Sequence, residues 1–254
     1  MAYYNRFSTF AEALDIVARG IPPKDITNFA HIIITNKLNM TIEEIKKILI
    51  LLISKYDFDI TYDNNMAIQG CCFDDDPEII SLLIELGADI HANNDSLFNN
   101  ACSTRNIILV KFLLQYVDLS KNNRVLRVCV SNDDIELVNI LLEAGIDPNY
   151  KRTKALLISS HRNYEITKLL LEYGANVNAR NGAALVNATL HGKHDIVELL
   201  ISYGANLGCF AERKSTNGMK DFEKTCNLLM SEGIDPMSLM MIFARYSSNS
   251  TTTE

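Results

Sequence analysis

The phrase IVELLISYGAN at residues 196–206 recurs as ITKLLLEYGAN at 166–176, LVNILLEAGID at 137–147 and IISLLIELGAD at 79–89. A weaker copy, TCNLLMSEGID, stands at 225–235. The glycines fall at 87, 145, 174, 204 and 233, so the steps are 58, 29, 30 and 29. The step of 58 is two units of 29, and LVKFLLQYVD at 109–118 supplies the missing copy with its glycine dropped between Tyr116 and Val117. A fixed step near 30 residues is the mark of a stacked repeat array, and it constrains the fold more than any other feature of the chain.

Each phrase has a physical reading. Ile196, Val197, Leu199, Leu200 and Tyr203 lie at helical spacing and predict one apolar stripe. Gly204 ends that helix, because glycine takes the left-handed cap conformation without steric cost. The acid or amide that follows (Asp89, Asp118, Asp147, Asn176, Asn206, Asp235) is expected to bond nearby backbone in a turn. Upstream of each phrase a large apolar residue precedes a small one by three places: Ile68/Cys71, Phe98/Ala101, Leu126/Cys129, Leu156/Ser159 and Leu185/Ala188. That spacing suits a shorter inner helix whose small residue lets the next unit approach. One unit is therefore turn, inner helix, tight link, outer helix, and it buries its faces only by stacking.

This unit resembles the ankyrin repeat. The resemblance rests on Ala184, Leu185 and Ala188 in the inner helix, Gly192 and His194 in the link, then I-V-x-L-L and G-A-N. It covers residues 60–206 well, and 21–59 and 207–246 loosely. The family's usual unit is a few residues longer and opens its inner helix with T-P-L-H; that phrase is absent here, so short turn fingers are expected. The 29–30 residue step, with 28 isoleucines and 25 asparagines, is similar to the ankyrin repeats of giant DNA viruses. The resemblance implies an all-α solenoid of stacked helix pairs that binds a protein through its concave finger and inner-helix face, without catalysis or cofactor. It also implies a viral-type adaptor to ubiquitin-ligase machinery as the alternative role. In that case the helix expected at 238–246 would dock the ligase. Some ankyrin proteins are hydroxylated on finger asparagines, and Asn149 and Asn178 stand at the matching positions.

The chain reads as capping helices and a degenerate repeat at 1–59, five regular repeats at 60–89, 90–118, 119–147, 148–176 and 177–206, a degenerate repeat and capping helix at 207–246, and a tail at 247–254. In the first segment helices are expected at 8–19, 25–36 and 41–55. Thr9 with Glu12 and Thr41 with Glu44 form capping boxes, and Gly20 is a stop. The end of the first, IVARGIPP, echoes the outer-helix phrase and reads as a half repeat.

Composition narrows function. A formal charge of −7 argues against a general binder of nucleic acid or anionic membrane. The longest greasy run, at 48–53, falls short of the roughly 18 apolar residues of a spanning helix. The start lacks a signal-peptide apolar region, so a cytoplasmic monomer is expected. Of six cysteines (Cys71, Cys72, Cys102, Cys129, Cys209, Cys226), Cys71 and Cys129 take the small inner-helix position, and all read as small buried residues in a reducing compartment. His191 and His194 lack further ligands at zinc spacing, and the resemblance implies an ordinary helix-to-helix link, which often carries a histidine bonded to backbone. The run of carboxylates at 74–78 lacks the ligand spacing of a calcium loop; Asp76 before Pro77 reads as a helix cap. No phosphate-cradling loop or nucleophile elbow is present.

One constellation remains. Lys121, Lys151 and Arg180 hold the same finger position in three consecutive units, Arg124 and Lys154 align at the next inner-helix start, and Arg127 and Arg152 lie close by. Stacking would set these charges in a ladder on an otherwise acidic body. A basic ladder suits a protein partner with an acidic surface.

Overall fold

The structure is a computed structural model, and it describes residues 9–21, 25–35, 40–69, 71, 77–206, 227, 230 and 231. The expectations for 207–226, for the helix at 238–246, for the tail, for Asp74–Asp76, and for Cys72, Cys209 and Cys226 lie outside these residues. No strand occurs among the described residues. The chain divides into two compact units, residues 1–118 and 119–254, and the boundary falls between two of the expected repeats.

In the first unit the helices are α1 (Phe10–Arg19), α2 (Ile26–Thr35), α3 (Ile42–Tyr56), α4 (Tyr62–Gln69), α5 (Pro77–Glu85), α6 (Ala92–Thr104) and α7 (Ile107–Leu113). The inner helices α2, α4 and α6 pack in succession, as do the outer helices α3, α5 and α7. The expected capping box forms in full at Thr41 and Glu44, and at Thr9 the hydroxyl accepts from the Glu12 N–H. Gly20 ends α1 at φ +103°. The half repeat α1 packs on α3, where the Tyr56 hydroxyl donates to Val17 O at 2.8 Å and accepts from Ile21 N at 3.1 Å. Pro77 opens α5, where its missing N–H costs nothing.

The second unit holds α8 (Leu119–Asn122), α9 (Arg124–Ser131), α10 (Ile135–Glu143), α11 (Tyr150–Ser159), α12 (Tyr164–Glu172), α13 (Ala179–Leu190) and α14 (His194–Ser202). Inner helices α9, α11 and α13 pack side by side, outer helices α10, α12 and α14 do the same, and each inner helix packs on its own outer partner. Every large/small inner pair is buried, from Ile68/Cys71 to Leu185/Ala188. Truncating one of the large members, such as Leu156, costs about 2–5 kcal/mol by lost transfer energy and the cavity left behind.

The glycine turns are uniform. Gly87, Gly145, Gly174 and Gly204 have φ of +98°, +90°, +82° and +81°, and the next N–H reaches back to Leu83, Leu141, Leu170 and Leu200 O at 2.9–3.1 Å. That is the closing bond of a Schellman cap. In the repeat without the glycine the outer helix α7 is shorter, and the Val117 N–H bonds to Leu113 O at 3.2 Å. The predicted turn bonds form too: Asp89, Asp147 and Asn176 accept at Oδ1 from His91, Asn149 and Asn178 N–H at 2.8–2.9 Å.

Tyr203 departs from the expected stripe. It is 42% exposed, and Tyr173 and Tyr116 are 40% and 39% exposed. Tyr203 occupies the cap of α14, one turn beyond Leu199, where the chain has begun to leave the helix, so its ring stands on the outer surface.

A basic cleft at the candidate binding face

The fingers position the basic residues. Positive φ begins at equivalent places in three repeats: Asn93–Asp95 in α6, Lys151 and Thr153 in α11, and Arg180–Gly182 in α13. The right-handed part of each inner helix starts after this step. In the repeat of residues 119–147 the finger is one residue shorter, and the single turn α8 takes the place of the left-handed step. Lys121 lies exposed in α8, while Lys151 and Arg180 lie exposed in left-handed steps.

The structure brings four of the predicted cations together. Arg124 and Arg127, one turn apart on α9, and Lys151 and Lys154 on α11 line a single cleft of about 240 Å³. Asn123, Leu126, Asp147, Pro148, Tyr150 and Ala155 complete its walls. Arg127 is half-buried, and Arg124, Lys151 and Lys154 are exposed. Lys151 Nζ sits 5.3 Å from the centre of the Tyr150 ring, a cation–π distance. No carboxylate of the described residues forms an ion pair with any of the four. Asp147 faces the same cleft, but its Oδ1 serves the turn bond from Asn149. Lys121 does not line the cleft, and Arg180 lines a separate cavity with Leu157, Ala183, Val186, Asn187 and Leu190. Arg152 lies within α11, and its side chain is outside the described set.

Asn149 and Asn178 have a role that spacing did not predict. Asn149 Nδ2 donates to Gly174 O at 3.0 Å and its Oδ1 accepts from Asn176 N at 2.8 Å. Asn178 repeats the pattern one unit on, with Gly204 O at 2.9 Å and Asn206 N at 2.6 Å. Asn123 accepts from Asp147 N at 3.1 Å and donates to Ser120 O at 2.8 Å. Each amide thus ties a finger to the next turn. A trace was present in the sequence: an asparagine stands two places after the turn residue in both D-P-N and N-V-N.

At the links, His191 Nδ1 lies 2.8 Å from Asn187 O, a backbone bond of the kind expected of a link histidine. His161 Nδ1 lies 2.8 Å from Asn187 Nδ2, and the His161 and His191 rings are 4.8 Å apart. Burial holds the His161 pKa below its ordinary 6.5; the neighbouring His191 charge lowers it further, the Leu157 backbone bond opposes, and Arg162 and Lys193 add to the lowering. The described residues contain no group of three or more His, Cys, Asp or Glu placed to hold a metal. None of their helices is long and apolar enough to cross a membrane.

Comparison with known proteins defines the class. The family described as ankyrin repeats (3 copies) matches residues 65–152 and 126–211. The match covers more than half of the chain, and the chain belongs to the ankyrin repeat family. Among its relatives, an ankyrin repeat protein of Acanthamoeba polyphaga mimivirus is 28% identical over 160 residues, covering 54% of this chain and 51% of that protein. Ankyrin repeat and SOCS box protein 14 of Mus musculus is 33% identical over 103 residues, 40% of this chain and 15% of that protein. The matched stretch therefore spans about half, or less, of these relatives. The fold is similar to that of the ankyrin repeat domain of Bcl-3, with a TM-score of 0.64 at 21% identity, covering 83% of this chain and 99% of that one. It is similar also to an ankyrin repeat domain from Acinetobacter baumannii, with a TM-score of 0.55 at 24% identity, covering 70% and 98%.

Proposed function

We propose that the chain is a non-catalytic scaffold that binds a protein partner through its finger and inner-helix face, and that the partner offers an acidic surface there. Ankyrin repeats generally mediate protein–protein interaction. The observation that carries the finer reading is the gathering of Arg124, Arg127, Lys151 and Lys154 at one cleft of a chain whose net charge is −7. Charges of one sign facing one another weaken the fold, and an opposite charge from a partner relieves them and speeds its encounter. The proposed binding set also includes Lys121, Arg152 and Arg180. The chain acts as a cytoplasmic monomer and takes neither nucleic acid nor membrane as its partner. Asn149 and Asn178 are the proposed hydroxylation sites; mass spectrometry of the native protein, showing the added oxygen or its absence, tests this.

The test of the main reading is affinity capture from the native cell with the full chain and with K121E/K151E/R180E. Loss of captured protein at unchanged helicity is expected. Undiminished capture overturns the reading. The ubiquitin-ligase adaptor role depends on the helix expected at 238–246. Co-purification of a ligase scaffold that is lost on truncation at Gly233 would establish it.

A further inference from the structure

We infer that the cleft between α9 and α11 seats one large apolar or aromatic side chain of an extended acidic peptide segment, with Arg124, Arg127, Lys151 and Lys154 holding the carboxylates on either side of it. The inference rests on the protein-binding reading above and names the chemistry that the face selects.

Four observations lead to it. The first is charge. Four cations face one carboxylate across the cleft, and none of the four has an ion-pair partner among the described residues. The second is placement. Arg124 is the first residue of α9, and Lys154 opens the right-handed part of α11. Cations in a first helical turn oppose the helix dipole, so both residues cost the fold stability while adding to a positive potential that an anion would meet. The third is the wall. Leu126, Pro148 and Ala155, with the Tyr150 ring, give the cleft an apolar floor that a small inorganic anion would leave uncovered. The fourth is size. At about 240 Å³ the cleft is small, with room for a large side chain and not for a whole structural element. A single side chain presented by an extended segment fits it.

The segment would therefore read acid, apolar, acid, with the apolar residue as anchor and the carboxylates as its guides. Anchors of this kind carry most of the affinity, and the charges set encounter rate and register.

Fluorescence anisotropy with the full-length chain tests it. The probe is a fluorescein-labelled peptide of alternating aspartate and glutamate around a central phenylalanine. Two control peptides carry a central glycine, or lysine in place of every acid. The expected result is saturable binding of the first peptide, at least tenfold weaker binding of the glycine peptide, and no binding of the lysine peptide. The variant R124E/K154E, with circular dichroism and urea unfolding matched to the parent, should bind the first peptide at least tenfold more weakly. Added inorganic phosphate at millimolar concentration should displace it only in part. Equal binding of the phenylalanine and glycine peptides, full displacement by phosphate, or indifference to R124E/K154E would each overturn the inference. If the peptides fail while K121E/K151E/R180E still abolishes protein capture, the cleft assignment falls and the wider binding reading stands.

Discussion

At the finger end of residues 119–206, asparagine amides run from one turn to the next. Asn149 and Asn178 each make two bonds into the following glycine turn, and Asn123 makes one into the turn at Asp147. At the other end of the same inner helices, the links meet through side chains that change charge or face solvent. His161 contacts Asn187 and stacks near His191, while Arg162 pairs with Asp133 at 3.0 Å. The ties between units at the finger end are neutral amides bonded to backbone, so their strength should ignore pH and salt. The link end should respond to both. The consequence for binding is direct: the cationic cleft lies at the finger end, where neutral amides tie one unit to the next and the Asp147 carboxylate holds the turn within its unit.

The sharpest way to break this contrast is to remove one finger amide. Asn149→Ala deletes two hydrogen bonds, each worth about 1 kcal/mol net, and should cost about 2 kcal/mol in urea unfolding. Asn149→Asp keeps an acceptor for Asn176 N but loses the donor to Gly174 O, so about half of that loss is expected. A loss that depends on salt or pH in the Ala variant would refute the neutral-frame account.

The glycine that the amide ties down comes next in size. A Cβ built at Gly174 meets nothing within 4 Å, so Gly174→Ala pays only for its φ of +82°. About 1–2 kcal/mol is expected from the left-handed backbone alone. A larger loss would mean that the Asn149 bond to the Gly174 carbonyl shifts with it.

These two features differ in how far the sequence disclosed them. The glycines announced their turns, because a left-handed position filled by glycine leaves a visible mark, and the buried pairs Leu126/Cys129 and Leu156/Ser159 followed from spacing alone. The left-handed step at Thr153 left no such mark, since a β-branched residue disfavours it, whereas Asn93–Asp95 are of the types that tolerate it. The cations of the candidate site were legible as a ladder by alignment. Their division was not: Arg124, Arg127, Lys151 and Lys154 share a cleft and Arg180 lies at another, because that depends on which side chains flank each helix start. Tyr203 was misread for a related reason, as periodicity says nothing about where a helix stops carrying a side chain inward.

The link end should reveal itself through acid. Because the folded-state pKa of His161 lies below the ordinary 6.5, the unfolded chain takes up a proton that the folded chain refuses. Stability therefore falls as pH drops below about 6.5 and levels off once the depressed value is passed. Asn187 Nδ2 can only donate at its 2.8 Å contact, so a proton on His161 Nδ1 would also remove the acceptor. His161→Gln should flatten this acid limb in urea midpoints taken between pH 5 and 7.5. An unchanged slope would assign the pH dependence elsewhere.

The smallest effect belongs to the ion pair that joins two links. Arg162 and Asp133 are 43% and 40% exposed at their side chains, so water screens the 3.0 Å contact and ordering two long side chains offsets much of the attraction. Arg162→Gln should cost no more than about 0.5 kcal/mol at low salt and nothing measurable in 0.5 M sodium chloride. The same substitution removes one of the positive charges that lower the His161 pKa, so the acid limb should level off at a higher pH and lose part of its depth. Observing the salt-sensitive loss without the shift in the acid limb would separate the two link contacts; observing both would show that the links behave as one electrostatic cluster, unlike the amide-bonded fingers at the other end.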